Sequence, residues 1–167
     1  MIKKNYVIKL RQRKLFFILF LFCIIFSFFN LFEFLNFSFY PEYFIALMVL
    51  TISSNMIEVS TSKIFIIGIL VDILIGSILG QYTLAFLLIY SLQILYQKYF
   101  MPSKIQTIFL RFLSVGLGVI IVSIISQKFN PNFSTNISLL NHLILDIGIT
   151  IIILIFFQIF YEKTYGT

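Results

Sequence analysis

The sequence predicts an all-α protein: a polytopic membrane helix bundle of about six transmembrane helices, with both termini in the cytoplasm (N-in/C-in). Three observations predict it. Hydrophobic residues make up 60% of the chain and charged residues only 11%, whereas a soluble domain is about half apolar and a quarter charged. The mean hydropathy is +1.07. The apolar residues also fall in long runs separated by short polar connections, the pattern of successive spans. At 167 residues the chain suits one compact bundle, with no room for a soluble domain beside it.

Residues 1–14 form a basic cytoplasmic lead, flexible or interfacial. Residues 15–32 are the first span, nearly unbroken in Leu, Ile and Phe. A cleaved signal peptide is the rival, but the run is long and no A-x-A-like cleavage site follows. After an acidic connection at 33–40, Pro41 suits the first turn of a helix and Glu42 its positive start. The second span continues to about Ile57. Its polar residues Thr51, Ser53, Ser54 and Asn55 favour close helix contact; lining a substrate groove is the sharper alternative.

The third span begins at Ile64 and ends near Gly80, and Gln81 and Tyr82 link it tightly to a fourth span at 83–95. Lys98, Pro102 and Lys104 mark a loop. The fifth span, 105–125, carries Arg111, Gly116 and Gly118, and Asn130-Pro131-Asn132 signals a turn. The sixth span covers about 139–160. Residues 15–160 thus read as one six-helix transmembrane domain and 161–167 as a cytoplasmic tail.

Charge sets the orientation. The net charge is +6, yet Lys3, Lys4, Lys9, Arg11, Arg13 and Lys14 supply half of the 12 basic residues. With the N-terminus inside, Lys63, Lys98, Lys104, Arg111 and Lys163 also fall at cytoplasmic ends, and only Lys128 lands outside. That is a strong positive-inside signal. The N-terminal cluster therefore reads as an orientation signal and an anchor for anionic lipid of the bilayer, not as a nucleic-acid surface. The chain therefore reads as a multi-pass membrane protein.

Four ionisable residues fall within spans: Asp72, Arg111, His142 and Asp146. Such residues are functional hypotheses by default. Around Asp72, glycines recur at steps of four: Gly68, Gly76 and Gly80, with Ser77 beside them. On a continuous helix these share one face, a smooth seam with an acid set into it. The plainer reading is helix packing; a proton carrier or catalytic acid is the sharper one. His142 and Asp146 are one turn apart, so a carboxylate could orient the histidine for proton transfer or metal binding. A partly solvated polar helix end is the plainer account.

Enzyme signatures are missing: no H-E-x-x-H, no G-x-S-x-G, no P-loop and no cysteine pair. The single cysteine, Cys23, excludes an internal disulfide and reads as a small buried apolar residue. No metal and no cofactor is expected, and the chain does not read as an enzyme.

The run Gly68-Ile-Leu-Val-Asp72-Ile-Leu-Ile-Gly76-Ser77-Ile-Leu-Gly80 resembles the signature region of the MreD family of bacterial rod shape-determining membrane proteins. That family carries G-x-x-x-D-x-x-x-G-S-x-x-G in its middle span, a short basic N-terminus, and often a proline where Pro41 stands. Many members carry another proline late in the second span, where this chain has Ser53-Ser54-Asn55. The resemblance implies a non-catalytic scaffold of the cell-wall elongation machinery, which carries out peptidoglycan synthesis (the elongasome). It implies partnership with an MreC-like bitopic protein and, directly or indirectly, with MreB, RodA and its transpeptidase. It also implies a fold similar to the substrate-binding subunits of energy-coupling-factor transporters, which keeps a vitamin-type transporter subunit as the alternative. A homodimer is left open.

Overall fold

The second apolar run is the one that the others enclose. In a computed structural model, which describes residues 2–29, 42–54, 59–99, 103–129 and 138–165, six helices follow one another. They are α1 (Ile2–Phe29), α2 (Tyr43–Ser53), α3 (Thr61–Ile75), α4 (Gln81–Tyr99), α5 (Lys104–Phe129) and α6 (Ser138–Tyr165). No strand occurs among the described residues.

Every residue of α2 from Tyr43 to Ile52 is buried, as expected of a helix that is apolar all round. It packs on α1, α4, α5 and α6. Phe44 meets the ring of Phe20 on α1 and that of Tyr82 on α4. Gly118 lets α5 approach: a Cβ there would lie 2.8 Å from Cγ2 of Ile45. The hydroxyls of α2 turn inward on its own backbone, Thr51 donating to the Leu47 carbonyl at 2.7 Å and Ser53 to that of Leu50 at 3.1 Å. Cys23 is fully buried against α2, its Sγ 3.7 Å from the Tyr43 carbonyl oxygen.

α3 and α4 form an antiparallel pair. Gly68 brings them together, because a Cβ at this position would stand 2.5 Å from the Thr83 Cα. α4 then packs along α5, and α5 along α6.

Two boundaries differ from the sequence expectation. The basic lead is helical from Ile2 and continuous with the first apolar run, since Lys, Arg and Gln are good helix formers. The third helix does not reach Gly80. It stops at Ile75, with Gly76 in the left-handed conformation (φ 70°) as its cap and a second positive φ, 98°, at Gly80. Gly76 and Gly80 therefore do not extend a helical face beside Gly68 and Asp72; they turn the chain. Pro41, the connection at 33–40, the end of the second run at 55–57 and the turn at 130–132 lie outside the described residues.

Among the described residues, Ile105–Lys128 and His142–Thr164 are long and apolar enough to cross a membrane. The 11 residues of α2 rise only about 17 Å, short of a hydrocarbon core of about 30 Å.

Candidate functional site

The α3–α4 link is built around the side chain of Asp72, which is completely buried. Its Oδ1 accepts from the Ser77 hydroxyl at 3.0 Å and from the Tyr82 N–H at 2.8 Å. Its Oδ2 accepts from the Gly80 N–H at 2.9 Å, the Thr83 hydroxyl at 2.8 Å and the Thr83 N–H at 3.4 Å. The first N–H groups of a helix have no partner within it, and their end of the helix dipole favours an anion. At the start of α4 the residue that would normally cap is Gly80, which has no side chain. Asp72 supplies the cap from the preceding helix instead.

That arrangement explains the local sequence. Gly76 reverses the chain without a side-chain penalty, and nothing lies within 4 Å of where its Cβ would be. Ser77 points back to the acid. Thr83 contributes two donors while its backbone sits against Gly68. A carboxylate offers about four lone-pair sites, and here five donors compete for them. No lone pair of Asp72 is left for an incoming ligand.

The same junction ties the other helices together. Gln81 donates its side-chain amide to the Val122 carbonyl at 3.1 Å and to the Ser126 hydroxyl at 2.7 Å on α5. Tyr82 donates its hydroxyl to the carboxylate of Glu42, just ahead of α2. The Glu42 N–H in turn donates to the Thr150 hydroxyl on α6 at 3.1 Å, and that hydroxyl donates to the Asp146 carbonyl at 2.6 Å. Within three residues of the start of α4, the chain has thus bonded to α3, α5 and the entry to α2, and through Glu42 to α6.

Of the residues singled out from sequence, Gly68, Asp72, Gly76, Ser77 and Gly80 all meet at this junction, with the glycines in three different tasks. His142 and Asp146 stand one turn apart on α6, both half-buried. Asp146 lies near enough to Glu42 for their charges to interact, and His142 Nδ1 is buried without a hydrogen-bond partner. Arg111 is elsewhere, toward the opposite end of α5, in the electrostatic reach of Tyr161 and Glu162 on α6. No group of three His, Cys, Asp or Glu residues among the described ones could hold a metal ion.

Sequence reasoning missed Glu42, Gln81, Tyr82, Thr83, Ser126 and Thr150 as members of one network. A glycine directly after an apolar helical run is a stop signal, and Gly76 could have been read that way. The partnership of Glu42 with Tyr82 has no local signal at all.

The family model for the rod shape-determining protein MreD matches residues 8–164, nearly the whole chain. No curated protein and no solved structure matches it. The family match extends far beyond the Asp72 motif, from the basic half of α1 to the last turn of α6. The chain belongs to the MreD family of rod shape-determining membrane proteins.

Proposed function

We propose that this protein is a non-catalytic, six-span scaffold of the cell-wall elongation machinery in the bacterial cytoplasmic membrane. Both termini face the cytoplasm, and the bundle takes the fold of the substrate-binding subunits of energy-coupling-factor transporters. Its outer surface holds an MreC-like bitopic protein and, through it or directly, RodA with its transpeptidase and the MreB filament.

One observation carries the scaffold reading: the acid within the third apolar run, Asp72, is saturated by donors from its own protein. A carboxylate used as a proton carrier or ligand contact must keep a lone pair or an access route open. This one has neither, and its bonds run to groups that fix the geometry of α3 and α4. Family membership supports the same reading.

The test is affinity purification of the tagged chain in mild detergent, with mass spectrometry of what co-purifies. Recovery of a bitopic protein with a large periplasmic part, together with wall-synthesis enzymes, is the expected result. Asp72→Leu should still insert in the membrane yet lose those partners; unchanged recovery and rod shape in that variant would sink the idea. Co-purification of two ATPases with a coupling membrane subunit would move the assignment to vitamin uptake.

A further inference from the structure

Two acids at the same end of the bundle are held in different ways. Asp72 accepts from five donors. Among the described residues, the carboxyl of Glu42 accepts from one, the Tyr82 hydroxyl, at 2.5 Å to Oε2. Glu42 is the N-cap residue of α2, yet its side chain makes no cap bond. The N–H groups that favour an anion at a helix start are therefore not turned to its use.

A second carboxyl stands close by. The Glu42 N–H donates to the Thr150 hydroxyl, and that hydroxyl donates to the Asp146 carbonyl. The entry to α2 is thus fastened to α6 one turn from Asp146, near enough for the two acids to feel each other's charge. Neighbouring carboxyls partly withdrawn from water do not both ionise readily, so such a pair retains a proton. Burial pushes the Glu42 carboxyl, just ahead of α2, up to about 7; the Tyr82 bond opposes the rise and the charge of Asp146 adds to it.

The surrounding groups bring no fixed positive charge to the pair. α4 offers Tyr82, with Asp72 of α3 in electrostatic reach behind it. α1 offers Cys23, which faces the Tyr43 carbonyl. Lys128 is exposed at the end of α5. On α6, His142 stands one turn beyond Asp146, its Nδ1 buried without a hydrogen-bond partner; it answers a carboxylate only when protonated.

We propose that Glu42 and Asp146 hold one proton between them, and that this proton latches the first turns of α6 onto the entry to α2. When it leaves, two carboxylates face each other across the α2–α6 contact and the contact loosens. With the N-terminus inside, this end meets the outer medium; the latch itself does not depend on that orientation. Its pH dependence has a definite sign. The folded chain holds the proton more tightly than the unfolded one, so stability is lost as pH rises from 4.5, the ordinary value for Glu42, through about 7.

The test is the thermal midpoint of the full chain in detergent, followed from about pH 5 to about pH 8. Glu42→Gln keeps an acceptor for Tyr82 and cannot ionise, so its midpoint should gain on wild type by about 3–6 °C across that range. Asp146→Asn should gain less, with the same sign, and His142→Gln should retain the fall seen in wild type. A constant gap between Glu42→Gln and wild type overturns the proposal, as does a fall that survives in Glu42→Gln but vanishes in His142→Gln. If Glu42→Gln does not fold, infrared spectroscopy of the wild-type chain decides. A protonated-carboxyl band that disappears between about pH 6 and about pH 8, and titrates lower in Asp146→Asn, supports the latch; no titrating band overturns it.

Discussion

The two ends of the α4–α5 pair bury similar polar side chains and treat them in opposite ways. At the Asp72 end, a buried glutamine, Gln81, bonds to a carbonyl and a hydroxyl of α5, and the neighbouring acid is fully bonded. Three turns along the same helix, a second buried glutamine, Gln93, bonds to nothing, nor does the Ser114 hydroxyl at its level. Ser54 Oγ and Arg111 Nε, toward the same end, are also buried without partners. The contrast separates two uses of polarity in one helix pair. Polar groups at the first end specify the fold; those at the second are carried at a cost by the packing around them.

The comparison is broken most directly at Asp72. Asp72→Leu leaves the N–H groups of Gly80, Tyr82 and Thr83 and the hydroxyls of Ser77 and Thr83 without their acceptor. A buried donor left without its acceptor costs about 1–3 kcal/mol, and several are left at once, so the thermal midpoint in detergent should fall furthest in this variant. An Asp72→Leu protein as stable as wild type would mean that packing alone holds the junction. Gly68→Ala comes next. Its methyl would meet backbone, not a flexible side-chain end, at the Thr83 Cα, and overpacking of that kind costs about 2 kcal/mol.

Two smaller changes sharpen the contrast within the junction itself. Tyr82→Phe keeps the N–H that Asp72 accepts and removes only the hydroxyl bonded to Glu42. The loss should be about 1–1.5 kcal/mol, read in the same unfolding experiment. Gly76→Ala adds a methyl in open space but at a φ of 70°, a strain of about 1 kcal/mol. Gly68→Ala should therefore harm more than Gly76→Ala. The reverse order would restore the continuous helical face that the spacing of four suggests.

That reversal shows how far the sequence could be read. The order of six helices was legible, because apolar runs and the intervening Pro, Gly, Asn and Lys residues are local signals. The break at Gly76 was not. Gly68, Asp72, Gly76 and Gly80 fit a helical face by spacing alone, and φ is invisible in a sequence. The acid was found because a carboxylate in an apolar run is conspicuous, but its partners were not. Tyr82 and Glu42 are 40 residues apart, and no local pattern links them. The enclosure of α2 was not read from its sequence, since it depends on which helices wrap it, and that is set by tertiary packing.

The smallest expected effect is the most discriminating. Gln93 is completely buried, and both ends of its amide lack partners. An amide buried without a hydrogen bond costs about 1–3 kcal/mol in proteins. Gln93→Leu replaces it with an apolar side chain of similar size, so stability should be unchanged or higher by about 1 kcal/mol. Gln81→Leu, the same exchange at the other end of the helix, would orphan the Ser126 hydroxyl and should destabilise by about 1–2 kcal/mol. Opposite signs for one substitution at two buried glutamines of a single helix would make the division between the ends a matter of measurement. If Gln93→Leu instead lowers stability as much as Gln81→Leu does, the Gln93 amide is bonded in the membrane. The Gln93 half of α4–α5 would then be a second structural lock.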